Sequence, residues 1–552
     1  MSDNERIKLE SQHLRGTLAD EIAGDASHLS EDSVQLIKFH GSYQQDDRDA
    51  RQARKKAGEE KAYQFMVRAR IPGGALTAEQ YLAFDDMAQS YGNGTLRLTT
   101  RQGIQLHGVI KRKVKPTIRA INDALLSTLA ACGDVNRNVM ACPAPTPSRS
   151  DAQVQEYARR LAEHLAPKTR AYHEIWLDGE KVEGPDDEPI YGKTYLPRKF
   201  KIAVAHSGDN CVDVFTQDIG FIAELNGENL EGFTVVAGGG MGSTNGKSET
   251  YPRLATPICF IEPEDVLRVA EAIVTIHRDY GDRENRKHAR LKYVVEELGA
   301  DWLRTEIERR VGCLLDDPHR IVFHDVDDHL GWRRESGDRW FLGLHVTSGR
   351  VIDTTRSLLR SALRAVVSDF RPGIRLSGQQ SILLTGIPEA LCAHIDAIFA
   401  DYGVSTDPGS LGVKRYALAC PALPTCGLAV AEAERALPQL IGELQAQVET
   451  LGLEREPLSV RMTGCPNGCA RPRMGDIGIV GRSFDLYDLY LGGDWANTRM
   501  NVPFAQGVKR TDLAATLRPA LERWQRERSE EESFGEFVYR VGIDALNATV
   551  AL

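Results

Sequence analysis

The sequence predicts an α+β chain assembled from two related halves. The stretch that begins at Leu96 matches the stretch that begins at Ile374 at Arg, Leu, Gln, Ile and Gly positions, an offset of 374 − 96 = 278. Cys142 and Cys420 are separated by the same number, since 420 − 142 = 278, and Pro-Ala follows both. A strand–helix–strand pattern over residues 64–128 recurs over residues 332–405. Separated matches at one offset indicate internal duplication, so we expect two halves related by a pseudo-twofold axis.

The composition limits the classes of function. A length of 552 residues with 26% charged residues is typical of an ordinary protein with several domains. The net charge of −10 argues against generic binding of nucleic acid. No stretch approaches the ~18 apolar residues of a membrane span, and the first ten residues lack the apolar core of a signal peptide. Ten cysteines are too few for a disulfide scaffold. We therefore expect a cytoplasmic enzyme that binds neither membrane nor nucleic acid.

The N-terminal residues 1–60 are polar and rich in charge. They predict a partly ordered arm with one solvated helix, and the alternative is a segment that docks another subunit. From Gln64 the chain reads as a strand that Pro72 and Gly73 interrupt, followed by a helical pattern to about Tyr91. The folded core is therefore expected to begin near residue 61.

Residues 96–109 predict a strand with two unlike faces. Read with a period of two, one face carries Leu96, Leu98, Ile104 and Leu106. The other face carries Arg97, Thr99, Arg101, Gln105 and His107. An apolar face belongs in a core, whereas two arginines and a histidine in register can grip a ligand with several carboxylates or phosphates. A half-solvated strand without a ligand is the alternative.

A cluster of cations follows later in the first half, after an amphipathic helix that is predicted to run from Cys142 to about Leu165. Arg198, Lys199 and Lys201 precede an apolar strand, and the two lysines share one face of the chain. Three cations within four residues suit a pocket for an anion, with plain surface as the alternative.

Two other segments have suggestive compositions. The glycines after Val235 lack the register and the acidic partner of a dinucleotide-binding loop. The H-D-V-D-D-H run from His324 resembles a metal-binding sequence, but it lies where the first half gives way to the second. We interpret that run as a solvated linker.

Four cysteines near the end of the chain have the spacing C-x5-C … C-x3-C: Cys420, Cys426, Cys465 and Cys469. Prolines and glycines between them exclude regular helix and central strand, so both pairs are expected on tight loops, with a helix from Gly427 to about Val448 between them. Four convergent thiolates suit an iron–sulfur cluster or a structural zinc ion, and the five-residue gap favours iron and sulfide. Scattered buried thiols are the remaining alternative.

Together these motifs resemble the family of sirohaem-dependent sulfite and nitrite reductases, in particular the haemoprotein subunits of assimilatory sulfite reductases. The resemblance covers nearly the whole chain. It rests on Q-Q-D-D-R-D at 44–49, R-I-P-G-G at 70–74, the strand at 97–108, N-R-N-V at 136–139, L-P-R-K-F-K at 196–201 and both cysteine loops. It implies two ferredoxin-like halves together with two α/β domains that hold a sirohaem and a [4Fe–4S] cluster.

The resemblance also implies roles for single residues. The ligands of the [4Fe–4S] cluster are Cys420, Cys426, Cys465 and Cys469, and Cys469 is in addition the ligand of the sirohaem iron. The residues that contact sirohaem are Arg97, Thr99, Arg101, Gln105, His107, Arg198 and Asn467. The catalytic cations that bind the substrate anion are Arg68, Arg137, Lys199 and Lys201. The family usually has Arg before F-H-G, where this sequence has Lys38.

The activity implied is the six-electron reduction of sulfite to sulfide in sulfate assimilation and cysteine biosynthesis. Because the chain has no convincing nucleotide motif, NADPH is expected to react with a separate flavoprotein subunit that carries FAD and FMN, with ferredoxin as the alternative donor. A ferredoxin-dependent sulfite or nitrite reductase is the alternative within the family. A non-catalytic iron–sulfur or zinc protein that acts as a redox sensor explains the cysteines but leaves the cations without a role.

We expect five segments along the chain. They are an N-terminal docking arm (1–60), a first ferredoxin-like half (61–128), a sirohaem- and substrate-binding domain (129–330), a second ferredoxin-like half (331–405) and a [4Fe–4S] and sirohaem domain (406–552).

Overall fold

A computed structural model describes residues 2–145, 149–172, 176–177, 180–181, 188–227, 229–323 and 326–550. Within these ranges the framework is four five-stranded sheets and one two-stranded sheet, with helices packed against them. None of the helices in these ranges is both long enough and apolar enough to cross a bilayer.

The first 60 residues fold onto the rest of the chain. Their elements are α1 (Asp3–Glu10), α2 (Leu18–Ala23), α3 (Glu31–Leu36), β1 (Ser42–Asp46) and α4 (Arg51–Lys56). Leu14, Leu36 and Phe39 are buried, and the Lys8 ammonium donates to the backbone oxygen of Leu196 at 2.7 Å. The expectation of an arm that is only partly ordered is therefore wrong, because a few apolar side chains in a polar sequence are enough to anchor this segment on a neighbouring core. The predicted solvated helix is present as α4, which has no buried residue.

The first half continues with a compact set of strands and helices. These are β2 (Tyr63–Arg68), β3 (Ala75–Leu76), α5 (Ala78–Ser90), β4 (Leu96–Leu98), β5 (Ile104–Val109) and α6 (Lys111–Asp123). Helix α5 begins at a capping box in which Thr77 and Gln80 satisfy each other's backbone N–H groups. Strand β1 pairs with β2, which makes the N-terminal segment an edge of this sheet.

The stretch predicted as one strand at 96–109 is a hairpin. Strands β4 and β5 are antiparallel, with Arg97 opposite Gln105. Between them the chain reverses over residues 99–103, where the Thr99 hydroxyl accepts from the backbone N–H of Gly103 at 3.1 Å. The reversal preserves the alternation of faces, so Leu96, Leu98, Ile104 and Leu106 are all fully buried, as the period of two predicts.

The next part of the chain is an α/β domain. Its elements are β6 (Met140–Ala141), α7 (Arg149–His164), β7 (Trp176–Leu177), β8 (Glu180–Lys181), β9 (Ile202–His206), β10 (Ile219–Asn226), β11 (Asn229–Ala237), β12 (Thr256–Ile261), α8 (Val266–Tyr280), α9 (Leu291–Leu298) and α10 (Ala300–Val311). The main sheet has the order β12-β11-β10-β9-β6, in which β6, β9 and β10 are parallel. The carboxyl ends of β6 and β9 therefore meet at one edge of this sheet.

The second half repeats the first. Its elements are β13 (Gly331–Ser336), β14 (Arg339–Leu344), β15 (Arg350–Val351), α11 (Leu359–Phe370), β16 (Gly373–Leu376), β17 (Ile382–Pro388) and α12 (Cys392–Asp401). The two halves exchange their short strands. Strand β3 of the first half pairs with β16 of the second, and β15 of the second pairs with β4 of the first. This reciprocal exchange confirms the predicted pseudo-twofold duplication.

A second α/β domain completes the chain. Its elements are β18 (Ala417–Ala419), α13 (Leu437–Thr450), β19 (Val460–Thr463), β20 (Ile477–Ser483), β21 (Leu486–Leu491), β22 (Val502–Lys509), α14 (Leu513–Glu527), α15 (Phe534–Val541) and α16 (Ile543–Val550). The sheet order β18-β19-β20-β21-β22 matches the order in the first α/β domain, with parallel pairing at the corresponding strands. Helix α13 begins at Leu437, ten residues after the predicted start, because Val430 and Ala431 donate their N–H groups to Gly464.

Three groups of buried side chains hold these parts together. The largest core joins both halves to the first α/β domain, and the second core belongs to the C-terminal domain. A smaller third core fills the seam between the first α/β domain and the second half, where Met140, Val212, Phe341 and Leu383 are buried together with Cys142. The linker between the halves ends in this seam.

Candidate active site

One cavity of about 330 Å³ lies where the first half and the two α/β domains meet. All fifteen residues that the sequence singles out as ligands, cofactor contacts or substrate cations line this cavity. They come from β2, from the β4–β5 hairpin, from the segment before β6, from the turn before β9 and from the two cysteine loops. The first half and both α/β domains therefore contribute to one site.

The cysteine loops converge because of the sheet topology. Cys420 directly follows β18, and Cys465 and Cys469 follow its parallel neighbour β19. Adjacent parallel strands end at the same edge of a sheet, which brings the two loops together. The N–H of Gly464 points at the Cys420 sulfur at 3.4 Å, and the Asn467 amide points at the Cys465 sulfur at 3.4 Å.

The four thiols suit a cluster better than a single ion. Burial raises the pKa of Cys420, and the sulfurs of Cys469, Cys426 and Cys465 raise it further, which shows that all four sulfurs are near each other. In the described part of the chain, however, no three of them belong to a group of ligand atoms within 4.8 Å of one another. A tetrahedral zinc ion requires sulfurs about 3.8 Å apart. The wider arrangement fits a multinuclear iron–sulfur cluster.

Cys469 differs from the other three cysteines in its exposure. Its side chain faces the cavity and is exposed, whereas Cys420 and Cys465 are buried and Cys426 is half-buried. The negative charge of a Cys469 thiolate acts on both Lys199 and Lys201, so this sulfur lies beside the proposed substrate cations.

The wall of the cavity is strongly cationic, although the whole chain carries a net charge of −10. Among the described residues that line it are twelve arginines and lysines but one carboxylate, that of Asp134. Five of these cations form salt bridges with Glu5, Asp134, Asp213, Asp218 or Glu434. Seven form no salt bridge with any described carboxylate: Lys38, Arg68, Arg101, Arg137, Arg198, Lys199 and Lys201. Buried charges without a partner are costly, so this wall favours the binding of an anionic ligand.

Three of these cations have no hydrogen-bond partner among the residues that the structure describes: Arg198, Lys199 and Lys201. Burial and the nearby Arg198 lower the pKa of Lys199 to about 7. Burial and the neighbouring Arg101 and Lys199 lower the pKa of Lys201 well below its usual value. Burial and Arg286 lower the pKa of Lys38 to about 8, so the departure from the family's arginine leaves a cation that titrates near neutral pH.

Other predicted contacts are held by the protein itself. Arg97 is fully buried, pairs with Glu434 and donates to the Ala419 carbonyl at 2.7 Å. Arg101 donates to the Asn138 carbonyl at 3.1 Å and to the Gln217 side chain. Burial, Arg350 and Arg97 lower the pKa of His107, so its imidazole is neutral, and its Nδ1 has no hydrogen-bond partner. The orphaned Nδ1 is free to contact a ligand.

Several residues of the site were not singled out from the sequence. Arg290 and Arg471 line the cavity while paired with Asp218 and Asp213. Their motifs, R-K-H-A-R and C-A-R-P-R, carry no periodic signal, so only the fold identifies them. Arg48 of the Q-Q-D-D-R-D motif also has a structural role, since it donates to the Cys426 carbonyl at 3.2 Å and so fastens the first cysteine loop.

The glycine segment after Val235 has a packing role that its sequence did not reveal. Ser243 donates to the Pro466 carbonyl at 2.9 Å, which joins this segment to the second cysteine loop. Gly468 has φ +65°, and a Cβ there would lie 2.8 Å from the Met241 carbonyl. The second cysteine loop therefore needs glycine at position 468, where its backbone closely approaches that of the glycine segment.

Comparisons with known proteins agree with this geometry. The model of the nitrite and sulphite reductase 4Fe-4S domain matches residues 156–315 and 413–552, and that of the nitrite/sulfite reductase ferredoxin-like half domain matches residues 57–124. Curated proteins named sulfite reductase [NADPH] hemoprotein beta-component are 49% identical in Myxococcus xanthus and 46% identical in Staphylococcus saprophyticus. Each covers 98% of this chain, and the matches span 97% and 96% of those relatives.

A solved structure has the same fold. The NirA protein of Mycobacterium tuberculosis aligns with a TM-score of 0.79 and 24% identity, over 99% of this chain and 97% of that one. With domain models that match more than half of its residues and relatives that match it almost end to end, the chain belongs to the nitrite and sulphite reductase family.

Proposed function

We propose that this chain catalyses the six-electron reduction of sulfite to sulfide at a sirohaem coupled to a [4Fe–4S] cluster, for sulfate assimilation and cysteine biosynthesis. The observation that carries the proposal is the group of seven cations without carboxylate partners beside four convergent cysteines. The names of the relatives in Myxococcus and Staphylococcus support the same reaction.

The residues present fit both cofactors. Cys420, Cys426, Cys465 and Cys469 would hold the cluster, and the exposed Cys469 would also ligate the haem iron. The polar wall of Arg97, Thr99, Arg101, Gln105, His107, Arg198 and Asn467 would face the carboxylates of sirohaem. When bound, the coupled cofactors relay single electrons to the substrate.

Four cations would bind the substrate: Arg68, Arg137, Lys199 and Lys201. Sulfite is a small dianion, so several donors must replace the water that it leaves behind. Arg68 is held in place by the Cys132 sulfur at 3.0 Å, and Arg137 by the Gly133 carbonyl at 3.0 Å. These fixed guanidinium groups position the anion, whereas the two lysines have no partner of their own.

The lysines are the better proton donors. A guanidinium retains its proton above about pH 12, so arginine cannot deliver protons during turnover. Lys199, whose pKa lies at about 7, exchanges its proton readily at neutral pH. We assign proton delivery to Lys199 and Lys201, and charge stabilisation to Arg68 and Arg137.

Electrons would come from a separate protein. We propose an NADPH-dependent flavoprotein subunit with FAD and FMN, with ferredoxin as the second candidate, and a cytoplasmic location in which the free thiols stay reduced. The N-terminal segment offers a docking surface, since α4 has no buried residue and carries Arg51, Arg54, Lys55 and Lys56 on its solvated side. We keep the five segments that the sequence predicts, with a docking arm, two ferredoxin-like halves and two cofactor-binding domains. Their bounds are 1–60, 61–128, 129–330, 331–405 and 406–552.

The test is reconstitution of activity from the purified full-length chain. With a chemical reductant we expect sirohaem and cluster absorption bands, sulfide as the product, and a higher kcat/KM for sulfite than for nitrite. A protein that shows no sirohaem bands would overturn the proposal. A higher kcat/KM for nitrite would instead favour the nitrite reductase alternative, which the family also contains.

A further inference from the structure

A second cluster of ligand-type side chains lies outside the active site. Cys142, Asp209, Cys211 and His329 place one ligand atom each within 4.8 Å of the others. Among the residues that the structure describes, this is the one group of His, Cys, Asp and Glu side chains that meets this condition. Neither the substrate cations nor the four cluster cysteines belong to it.

The internal duplication aligns two cysteines of this group with two cysteines of the proposed cluster site. Ala141 pairs with Val204 in the first α/β domain, and Ala419 pairs with Met462 in the second. The offset is 419 − 141 = 278 for the first strand and 462 − 204 = 258 for its neighbour. Cys142 therefore corresponds to Cys420, and Cys211 corresponds to Cys469, since 469 − 211 = 258. The two sulfurs lie at the same edge of the duplicated sheet as the cluster ligands do in the other half.

The distances fit one small ion. A tetrahedral site with Zn–S about 2.3 Å and Zn–N or Zn–O about 2.0–2.1 Å places sulfur about 3.5 Å from each lighter ligand atom. The Cys142 sulfur lies 3.6 Å from His329 Nε2 and 3.5 Å from Asp209 Oδ2, and these two atoms are 3.1 Å apart. The arrangement is more compact than the spacing of the four cluster thiols.

The surroundings of the group are those of a supported metal site. The Nδ1 atom of His329 lies 3.5 Å from Asp327 Oδ2, which leaves Nε2 directed at the Cys142 sulfur. A carboxylate behind a histidine ligand fixes the tautomer and orientation of the ring. Asp209 is held by the backbone N–H groups of Cys211 at 2.9 Å and Asp327 at 3.2 Å.

Burial and access also suit an ion. Cys142 and Cys211 are buried in the third core and His329 is buried beside them, so an ion held by these side chains would be shielded from water. Asp209 remains 18% exposed, so an ion has a route in from one side. Two sulfurs, one nitrogen and one oxygen are the ligand classes that Zn²⁺ accepts in closed structural sites.

We propose that Cys142, Asp209, Cys211 and His329 bind a structural Zn²⁺ ion at the pseudo-symmetric counterpart of the cluster site. His329 belongs to the linker between the halves, whereas the other three ligands belong to the first α/β domain. The ion fastens the linker, and with it the second half, to that domain. The interpretation of this run as a solvated linker is wrong for Val326, Asp328 and His329, which are buried, whereas His324 and Asp325 lie outside the described residues.

The experiment is metal analysis of the untagged full-length holoprotein, with zinc and iron measured on the same samples. We expect about one zinc per chain in addition to cofactor iron, and zinc X-ray absorption with two sulfurs at about 2.3 Å and two lighter atoms at about 2.0 Å. Cys211→Ser and His329→Gln should each lower zinc below about a tenth of the wild-type ratio and leave iron unchanged. Cys259→Ser, at another buried thiol of the same domain, should retain zinc.

Several results would overturn the proposal. In the wild-type protein these are the absence of zinc even after incubation with Zn²⁺, a zinc signal with only nitrogen and oxygen neighbours, and iron in place of zinc at this group. A Cys142–Cys211 disulfide found by alkylation under denaturing conditions would also contradict it. So would an unchanged zinc content in Cys211→Ser. If a variant does not fold, the zinc X-ray absorption spectrum of the wild-type protein tests the ligand set without any substitution.

Discussion

The lysines of the cavity carry charge in a place where the protein offers them no acidic partner. Transferring an ammonium group away from water without compensation costs several kcal/mol, which is why the pKa of Lys199 and of Lys201 is lowered. An arriving dianion supplies the missing compensation. Binding of the dianion therefore favours the fully protonated form of both lysines. The lack of an acidic partner both lowers their pKa values and suits them to bind an anion.

Lys201→Met should separate charge from side-chain length. The variant keeps most of the side chain but loses the charge and the proton, so we expect kcat/KM for sulfite to fall by about 100-fold with both cofactors retained. Nitrite carries half the charge of sulfite, so we expect kcat/KM for nitrite to fall by only about tenfold. Steady-state kinetics with both substrates measure this, and equal losses would contradict a charge-selective role.

The pKa of Lys199 predicts a pH dependence of anion binding. Its ammonium loses a proton as the pH rises through about 7, and binding of an anion favours the protonated form, so sulfite should bind more weakly above that pH. In Lys199→Arg the charge persists to about pH 12, which should remove this effect. Spectral titrations with sulfite from about pH 6 to 9 give the Kd of the wild-type protein and that of Lys199→Arg. In the ratio of these two Kd values the titration of sulfite itself cancels, and we expect the ratio to rise with pH. A ratio that stays constant with pH would contradict the assignment.

Cys469→Ser should disturb both cofactors, because we assign two bonds to this sulfur. A hard oxygen replaces a soft thiolate at the junction, so iron affinity and electronic coupling should fall. We expect lost sulfite reduction and a lost or altered haem and cluster spectrum. Cys392→Ser is the control, since that thiol lies on α12 away from the cavity and should leave both cofactors bound. A normal spectrum and turnover in the Cys469 variant would refute the bridging role.

Among the elements, the exchanged strands β3 and β15 depend on their preceding glycines. Gly349 has φ +71°, and a Cβ there would clash with the Leu98 carbonyl and lie 3.1 Å from the Gln380 Cβ. Gly74 occupies the corresponding place before β3, with φ +73° and a Cβ that would lie 2.5 Å from the Leu376 carbonyl. The close contact between the halves therefore requires glycine on both sides.

Gly349→Ala should consequently destabilise the protein. A left-handed backbone costs a non-glycine residue about 1–3 kcal/mol before the clash is counted, so we expect the thermal midpoint to fall by at least about 1 °C. Gly442→Ala is the matched control, because Gly442 lies exposed on α13 with open space around it and alanine favours helix there. Thermal unfolding of the holoprotein measures both, and equal midpoints for the two variants would contradict this explanation.

The same elements show what sequence alone can predict. Period-two alternation identified the buried leucines of 96–109, but the turn at 99–103 escaped notice because a hairpin preserves that alternation. The prolines and glycines around the cysteines correctly predicted loops, whereas α13 begins later than predicted because Val430 and Ala431 donate their N–H groups to the Gly464 carbonyl. Arg290 and Arg471 enter the site from segments without periodicity, and only the fold brings them there. Local sequence patterns therefore predict local structure. They do not predict contacts between segments that are distant in sequence.

For the molecule as a whole, the chain should depend on another protein for electrons. We expect the isolated holoprotein not to reduce sulfite with NADPH, because no dinucleotide motif is present in its sequence and the glycine segment at 238–242 is occupied by the second cysteine loop. Addition of a flavoprotein reductase or a chemical reductant should restore turnover. Sulfide formation from NADPH by the chain alone would contradict the need for a partner.

The reciprocal exchange of β3 and β15 also determines when the protein can become complete during its synthesis. Leu76 pairs with Ile374, so strand β3 waits for a partner made 374 − 76 = 298 residues later. At ribosomal speeds of about 5–20 residues per second this interval is roughly 15–60 s. The nascent first half therefore emerges unfinished and open to chaperones, and the cavity, whose lining extends to Arg471, is complete only late in translation. Cofactor insertion must wait until the second cysteine loop has emerged from the ribosome.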